Sequence, residues 1–160
     1  MLSTLLKTLI FTIFVPGTVA VVIPYLLISS RSPLASAEIG IIRYTGLLLF
    51  IPGVLIYVWC AYDFAVSRGT PAPIDPPKEL VVRGLYRFVR NPMYVGVLAI
   101  VFSKAIFFGS ALTAIYGAAL WLMFHVFVLF YEEPTLRRLF GESYEQYCRE
   151  VGRWWPRMNG

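Results

Sequence analysis

Four apolar stretches separated by short polar ones dominate the chain. Residues 9 to 28 carry no charge and are long enough to cross the ~30 Å hydrocarbon core of a bilayer as a helix. Pro16, Gly17 and Pro24 predict kinks in it. A second run extends from about Ile41 to Val66, with Arg43 near its start and Asp63 near its end, and can span with tilt. Residues 93 to 108 and 111 to 131 are two more apolar runs, and Gly109-Ser110 between them leaves room only for a tight helical hairpin. The first of this pair is short for a span, and Lys104, about one turn from its outer end, has a stem that can snorkel. After Tyr131 the pattern changes. Glu132-Glu133-Pro134 precede an amphipathic segment with Leu136, Leu139, Phe140, Tyr144, Tyr147 and Val151 at helical spacing. Pro134 suits a first helical position and disfavours helical geometry at Glu133, so the fourth span is expected to end or bend there. The pattern predicts an all-α integral membrane bundle of about four transmembrane helices followed by a cytoplasmic amphipathic helix.

A signal peptide is the rival reading of the first stretch, because Ala35-Ser36-Ala37 resembles a cleavage site. The apolar run is longer than the roughly 7 to 15 residues of a signal-peptide core and only Lys7 precedes it, which favours a transmembrane helix.

Composition agrees. A length of 160 residues suits one domain, here a single membrane domain with residues 1–66 as two N-terminal spans and 67–160 as the functional core. The apolar fraction of 58% and mean hydropathy of +0.70 lie above those of soluble domains. A net charge of +5 would suggest nucleic acid in a soluble protein, but these basic residues flank apolar runs and follow the positive-inside rule. Four spans put both termini on one side. Placing them in the cytoplasm leaves eleven basic residues inside against three, Arg31, Arg43 and Lys104, outside, which predicts a cell inner membrane protein with cytoplasmic termini. Cys60 sits in an apolar run and Cys148 in the polar tail, at depths that make a disulfide improbable. With one histidine and no metal-ligand spacing, metal chemistry is not expected.

The chemistry-bearing residues gather in two places. Gly69, Pro71, Pro73, Pro76 and Pro77 make an irregular linker that cannot be lipid-exposed loop within the hydrocarbon, and it runs into the basic, aromatic stretch Arg83 to Gly96. Within that stretch Arg90-Asn91-Pro92 reads as an N-cap and first helical position. The same helix start, helped by Arg87 or Arg90, can hold a carboxylate or phosphate, although these arginines equally suit topology signals. Tyr86 and Tyr94 flank the turn, either as a membrane-interface belt or as walls for an adenine ring or cationic sulfur. Glu132 and Glu133 are either favourable first-turn acids or acceptors for ribose hydroxyls or an ammonium group. They are too close together to flank a substrate as an acid/base pair. His125, about two turns inside the fourth helix, suits core packing, with proton transfer as its functional alternative. Asp63 divides in the same way between an interfacial anchor and a functional group at membrane depth.

Four segments occur in a telling order: Gly84-Leu85-Tyr86, Arg90-Asn91-Pro92-Met93-Tyr94-Val95-Gly96, Glu132-Glu133-Pro134-Thr135-Leu136, and Phe140-Gly141-Glu142-Ser143-Tyr144-Glu145-Gln146-Tyr147. Over about residues 70 to 157 the chain resembles the isoprenylcysteine carboxyl methyltransferase and phospholipid methyltransferase superfamily of integral membrane enzymes. The resemblance implies S-adenosylmethionine as methyl donor, bound at the cytoplasmic ends of the last helices and partly enclosed by the C-terminal segment. It implies that Lys78, Glu79, Leu80, Val81 and Tyr86 line the cofactor, that Asn91, Pro92, Met93 and Tyr94 hold it at the helix start, and that Glu132 contacts it from the fourth helix. The acceptor would be a lipophilic molecule arriving laterally from the bilayer.

Two departures from the family pattern bear on function. Asn91 stands where many members have His and cannot titrate near neutrality. Val128 stands where the eukaryotic prenylcysteine enzymes place an Arg, which argues against a prenylcysteine carboxylate and leaves lipid amines, thiols, phenols or small hydrophobic carboxylates. Methyl transfer from a sulfonium is an in-line displacement whose donor carries its own leaving group, so positioning and desolvation can supply much of the acceleration. Glu132 is the first candidate for organising the catalytic site, with Arg87, Arg90 and His125 behind it. Two rivals remain. An NADPH-dependent reductase of the sterol-reductase type would place the 2′-phosphate on Arg137-Arg138 and Arg149, and a non-catalytic membrane scaffold would use the arginines and tyrosines for topology alone.

Overall fold

A computed structural model describes residues 14–30, 39–66, 80 and 82–157, and everything said of the structure concerns these. Residues 9 to 13 of the first expected span and most of the proline-rich linker lie outside them. The described chain is all-α. Helix α1 is Phe14–Ile28, α2 is Thr45–Val66, α3 is Pro92–Phe108, α4 is Ala111–Phe127 and α5 is Glu133–Glu150. The β pairing among the described residues is an isolated parallel bridge between Val89 and Gly152.

Two helical rods, Gly40–Asp63 and Ala111–Phe140, are long and apolar enough to cross a membrane. The second has 30 residues, roughly 45 Å at 1.5 Å per residue, so it overruns a ~30 Å hydrocarbon core and carries its far end into the interface. Burial follows the membrane pattern. Ile41, Leu48, Leu55, Ile115, Leu122 and Phe130 point outward and are exposed, as lipid-facing side chains would be. The core between the helices is built from Val97, Leu98, Ile100, Val101 and Leu120, with Ala20 of α1 against them.

Helices α2 and α3 pack closely and antiparallel along a seam of small residues. A Cβ on Gly53 would meet the Gly96 carbonyl at 3.1 Å, one on Gly96 would meet the Gly53 carbonyl at 3.0 Å, and one on Gly46 would meet the Ser103 carbonyl at 2.7 Å. Lipid tails are as apolar as leucine, so contact between membrane helices comes from such close backbone approach. The hairpin between α3 and α4 is as tight as expected. Ser110 caps α4, its Oγ accepting from the Thr113 N–H at 3.2 Å and from the Thr113 hydroxyl at 2.9 Å.

Two prolines are each preceded by a wide turn. In α1 a π-turn, Thr18–Val22, precedes Pro24, with the Ile23 N–H bonded to the Thr18 carbonyl five residues back. Directly after α4 a second π-turn, Val128–Glu132, precedes Pro134, with the Glu133 N–H bonded to the Val128 carbonyl. The helix expected to end or bend at Glu133 therefore runs on to Phe140, because the wider turn accommodates a residue that has no N–H to give. The break comes at Gly141, whose φ of 52° and ψ of −124° few other residues tolerate. Beyond it Tyr144, Tyr147 and Val151 form a buried cluster with Leu80, Leu136, Phe140 and Cys148 packed around it. Leu139, expected on that apolar face, is instead exposed.

Candidate functional site

The segment before α3 is fastened to α2 by residues that leave little freedom. Gly84 has a φ of 54° and lies so close to Asp63 and Trp59 that a Cβ would collide with both side chains. The buried Asp63 carboxylate accepts from Arg83 Nε at 3.3 Å, so this acid anchors the loop. The 3₁₀ turn Gly84–Arg87 then directs Tyr86 inward, where it packs in one buried cluster with Cys60 and its carbonyl accepts from the Tyr147 hydroxyl at 2.6 Å. Burial pushes the Tyr86 and Tyr147 phenols well above their ordinary range, so both stay neutral.

Glu132 and Glu133 face different surroundings, as neighbours about 100° apart around a helix should. Glu133 is buried at the centre of an arginine cluster. Arg153 approaches it bidentately at 2.6 and 3.1 Å, Arg90 at 3.1 Å and Arg137 at 3.7 Å. Glu132 has a single hydrogen-bonding neighbour among the described side chains, the Tyr94 hydroxyl, which donates to it at 3.0 Å. Arg90 also donates to Cys148 Sγ at 2.8 Å, and its buried Nε has no hydrogen-bond partner among the described residues.

The chain end closes the arrangement. The Arg90 N–H donates to the Gly152 carbonyl at 2.9 Å, and Trp154 Nε1 donates to His125 Nδ1 at 3.1 Å. Asn91, expected as a capping side chain, makes no cap hydrogen bond although it occupies that position. Its Nδ2 donates instead to the Arg153 carbonyl at 3.2 Å, because the returning tail occupies the space beside the helix start.

Between these elements lies a cavity of about 290 Å³. One end is polar and is lined by Tyr86, Arg90, Asn91, Tyr94 and Glu132. The rest is apolar, with Val15, Pro16 and Val19 from α1, Tyr57 from α2, Met93 and Val97 from α3, and Met123, Phe124 and Phe127 from α4. The Tyr94 and Phe124 rings lie 4.6 Å apart along one wall.

Of the residues the sequence singled out, Tyr86, Arg90, Asn91, Met93, Tyr94 and Glu132 thus share one cavity. Others stand apart. Pro92 is buried at the first position of α3 without lining it, and Leu80 packs against the tail cluster. Arg87 is exposed. His125 stacks on Trp121 at 5.4 Å and accepts from Trp154, so its ring serves the tail and not the cavity wall. Lys78, Glu79 and Val81 lie outside the described residues. Lys104, expected to snorkel outward, sends its ammonium to the Ala20 carbonyl at 2.6 Å. No cluster of three or more His, Cys, Asp or Glu that could hold a metal occurs among the described residues. The α1 wall and the arginine cluster on Glu133 went unforeseen, the former because nothing in an apolar run marks which face meets a cavity.

The cavity thus joins a polar end to an apolar chamber within a membrane bundle. Comparison with known proteins gives the family: the model of the phospholipid methyltransferase family matches residues 41–143, and the chain belongs to that family. The match takes in α2 and the first three motifs of the second half, and ends within the fourth. A probable protein-S-isoprenylcysteine O-methyltransferase of Oryza sativa subsp. indica is 28% identical over 117 residues, 71% of this chain and 61% of the relative. Protein-S-isoprenylcysteine O-methyltransferase B of Arabidopsis thaliana is 25% identical over 171 residues, 94% of this chain and 86% of the relative. The Schizosaccharomyces pombe protein-S-isoprenylcysteine O-methyltransferase is 36% identical over 73 residues, 45% of this chain and 30% of the relative. The chain thus spans about three-fifths of the length of the rice relatives. No solved structure matches. The family does not favour the reductase alternative. Nor does the site, since Arg137, Arg138 and Arg149 line no part of the cavity, and Arg137 is engaged with Glu145 at 2.7 Å.

Proposed function

We propose that this chain is an integral membrane methyltransferase that carries the methyl group of S-adenosylmethionine to a lipophilic acceptor entering from the bilayer. The observation that carries the proposal is the two-ended cavity, in which one carboxylate, one guanidinium and two phenols stand at the mouth of an apolar chamber. The residues present fit such a donor. Glu132, held by one neutral phenol, can accept from ribose hydroxyls or from an α-ammonium group. Arg90 Nε is a buried donor without an acceptor among the described residues, suited to an α-carboxylate. The Tyr94 and Phe124 rings offer π faces to a sulfonium.

When bound, the donor supplies an activated methyl group together with its own leaving group. The protein's task is then to bind, orient and exclude water. Tyr94 fixes the Glu132 carboxylate, Glu133 fixes Arg90, and the tail strapped across Arg90 and Asn91 shields the polar end from solvent. The apolar side chains of α1 and α4 receive the acceptor. Its class stays among prenyl-type carboxylates, lipid amines, thiols and phenols. The relatives' names favour the first. The buried Val128, and an Arg90 already committed to Glu133, argue for the others. The excess of basic residues on the loops at this end supports a cytoplasmic site in a cell inner membrane, with both termini on the same side.

Titration of the purified protein in detergent with S-adenosylmethionine, its demethylated product and NADPH tests the reading. The first two should bind, by calorimetry or thermal shift. Binding of NADPH alone would establish the reductase, and no binding by a folded sample would leave the scaffold.

A further inference from the structure

Helix α1 owes its position to two carbonyls that its own backbone leaves open. In a regular helix the Val19 carbonyl would accept from the Ile23 N–H, but the π-turn gives that N–H to Thr18. The Ala20 carbonyl would accept from residue 24, and Pro24 has no N–H. Inside a bilayer no water replaces these bonds, and each unmet carbonyl is costly. Side chains from two other helices supply donors: the Tyr116 hydroxyl of α4 donates to the Val19 carbonyl at 2.9 Å, and the Lys104 ammonium of α3 to the Ala20 carbonyl at 2.6 Å. An ammonium carried to membrane depth is expensive unless it serves a purpose. Val19 itself, with Val15 and Pro16 one turn earlier, forms the α1 wall of the cavity.

We infer that Lys104 and Tyr116 are positioning residues: they clamp the π-turn of α1 so that Val15, Pro16 and Val19 form a fixed wall at the apolar end of the cavity and thereby set acceptor fit. The inference rests on the proposed methyl transfer for its kinetic consequence and on geometry alone for the clamp. Neither residue touches the polar end, so the clamp governs acceptor and not donor.

The test compares Lys104→Met, Tyr116→Phe and Lys104→Arg with the parent. Donor affinity is read by S-adenosylmethionine titration, and turnover with N-acetyl-S-geranyl-, S-farnesyl- and S-geranylgeranyl-cysteine and with phosphatidylethanolamine vesicles. Lys104→Met should raise KM for the acceptor by about tenfold, the worth of a hydrogen bond from a charged donor, and Tyr116→Phe by about fivefold, that of a neutral one. They should also blunt discrimination among chain lengths while leaving donor affinity at the parent value, and Lys104→Arg should restore both. Nitroxides on Phe14→Cys of α1 and Leu122→Cys of α4, both exposed, in a Cys148→Ala background give a readout independent of turnover. Their distance distribution should widen in Lys104→Met and Tyr116→Phe and narrow again in Lys104→Arg. Unchanged distances in both variants would overturn the clamp, as would a loss of donor affinity parallel to that of the acceptor. A parent that fails to bind S-adenosylmethionine would remove the proposed function while leaving the distances to decide the clamp.

Discussion

Replacing each of two adjacent glutamates by glutamine should give opposite phenotypes. The Glu133 side chain is 3% exposed and faces Arg90 at 11% and Arg153 at 29% exposure. Glu133→Gln keeps the shape and one acceptor oxygen but removes the charge that two largely desolvated guanidinium groups share. Breaking a buried pair by deleting one partner costs about 3–5 kcal/mol, because the remaining charge is left uncompensated. The Arg137 contact, at 3.7 Å and 45% exposure, adds little to this. Against a total stability of about 5–15 kcal/mol the loss is severe, corresponding to a drop in Tm of roughly 10 °C for a chain of this size. Glu132→Gln removes no ion pair. Its expected effect on Tm is small, whereas S-adenosylmethionine affinity should fall by roughly 1.5–3 kcal/mol, the worth of a hydrogen bond to a charged acceptor. Thermal unfolding in detergent followed by tryptophan fluorescence, with calorimetric titration of the donor, reads both quantities on the same samples. The reverse pattern, a stable Glu133→Gln and a destabilised Glu132→Gln with intact binding, would refute the division of roles.

Two further outcomes follow from the packing. Gly96→Val puts a branched side chain where even a Cβ stands 3.0 Å from the Gly53 carbonyl, so the α2–α3 seam must open; a loss of about 1–3 kcal/mol is expected, visible as a lower Tm, and the parent Tm would refute the seam. His125→Phe preserves an aromatic stack on Trp121 and removes the acceptor for Trp154. It should loosen the tail, measurable as faster proteolysis near the C-terminus, while leaving donor affinity unchanged; a large loss of affinity would return His125 to the site.

The helices were legible because their apolar runs are long and bounded by glycine, proline and charge, and Gly109-Ser110 gave the hairpin outright. The polar lining of the cavity was legible where sequence motifs carry it, at Tyr86, Arg90, Asn91, Met93, Tyr94 and Glu132. It was opaque where the determining fact is rotation about a helix axis. Glu132 and Glu133 look equivalent as letters, yet one meets a cavity and the other an arginine cluster. The seven-residue spacing of Gly46 with Gly53, and of Gly96 with Ser103, was a readable signal for the small-residue seam. The partners of Tyr116 and Lys104 were not readable, since they are α1 backbone carbonyls left open by a local change of helical pitch and by Pro24.

The second π-turn explains why the acid in the cavity is residue 132. Along α4 the cavity is lined by Met123, Phe124 and Phe127. In an unbroken α-helix the next residue on the face of Phe127 lies four positions on, at Tyr131, and a glutamate at 132 would point well away. The π-turn Val128–Glu132 lengthens that step to five and brings Glu132 onto the face, while Tyr131 turns outward and is exposed. Pro134 makes the wide turn cheap, because the hydrogen bond that an α-helical continuation would demand of residue 134 cannot form in any case. The Glu-Glu-Pro sequence is therefore one device: the proline permits the turn, the turn rotates the first acid into the cavity, and the second acid falls where the arginines wait for it.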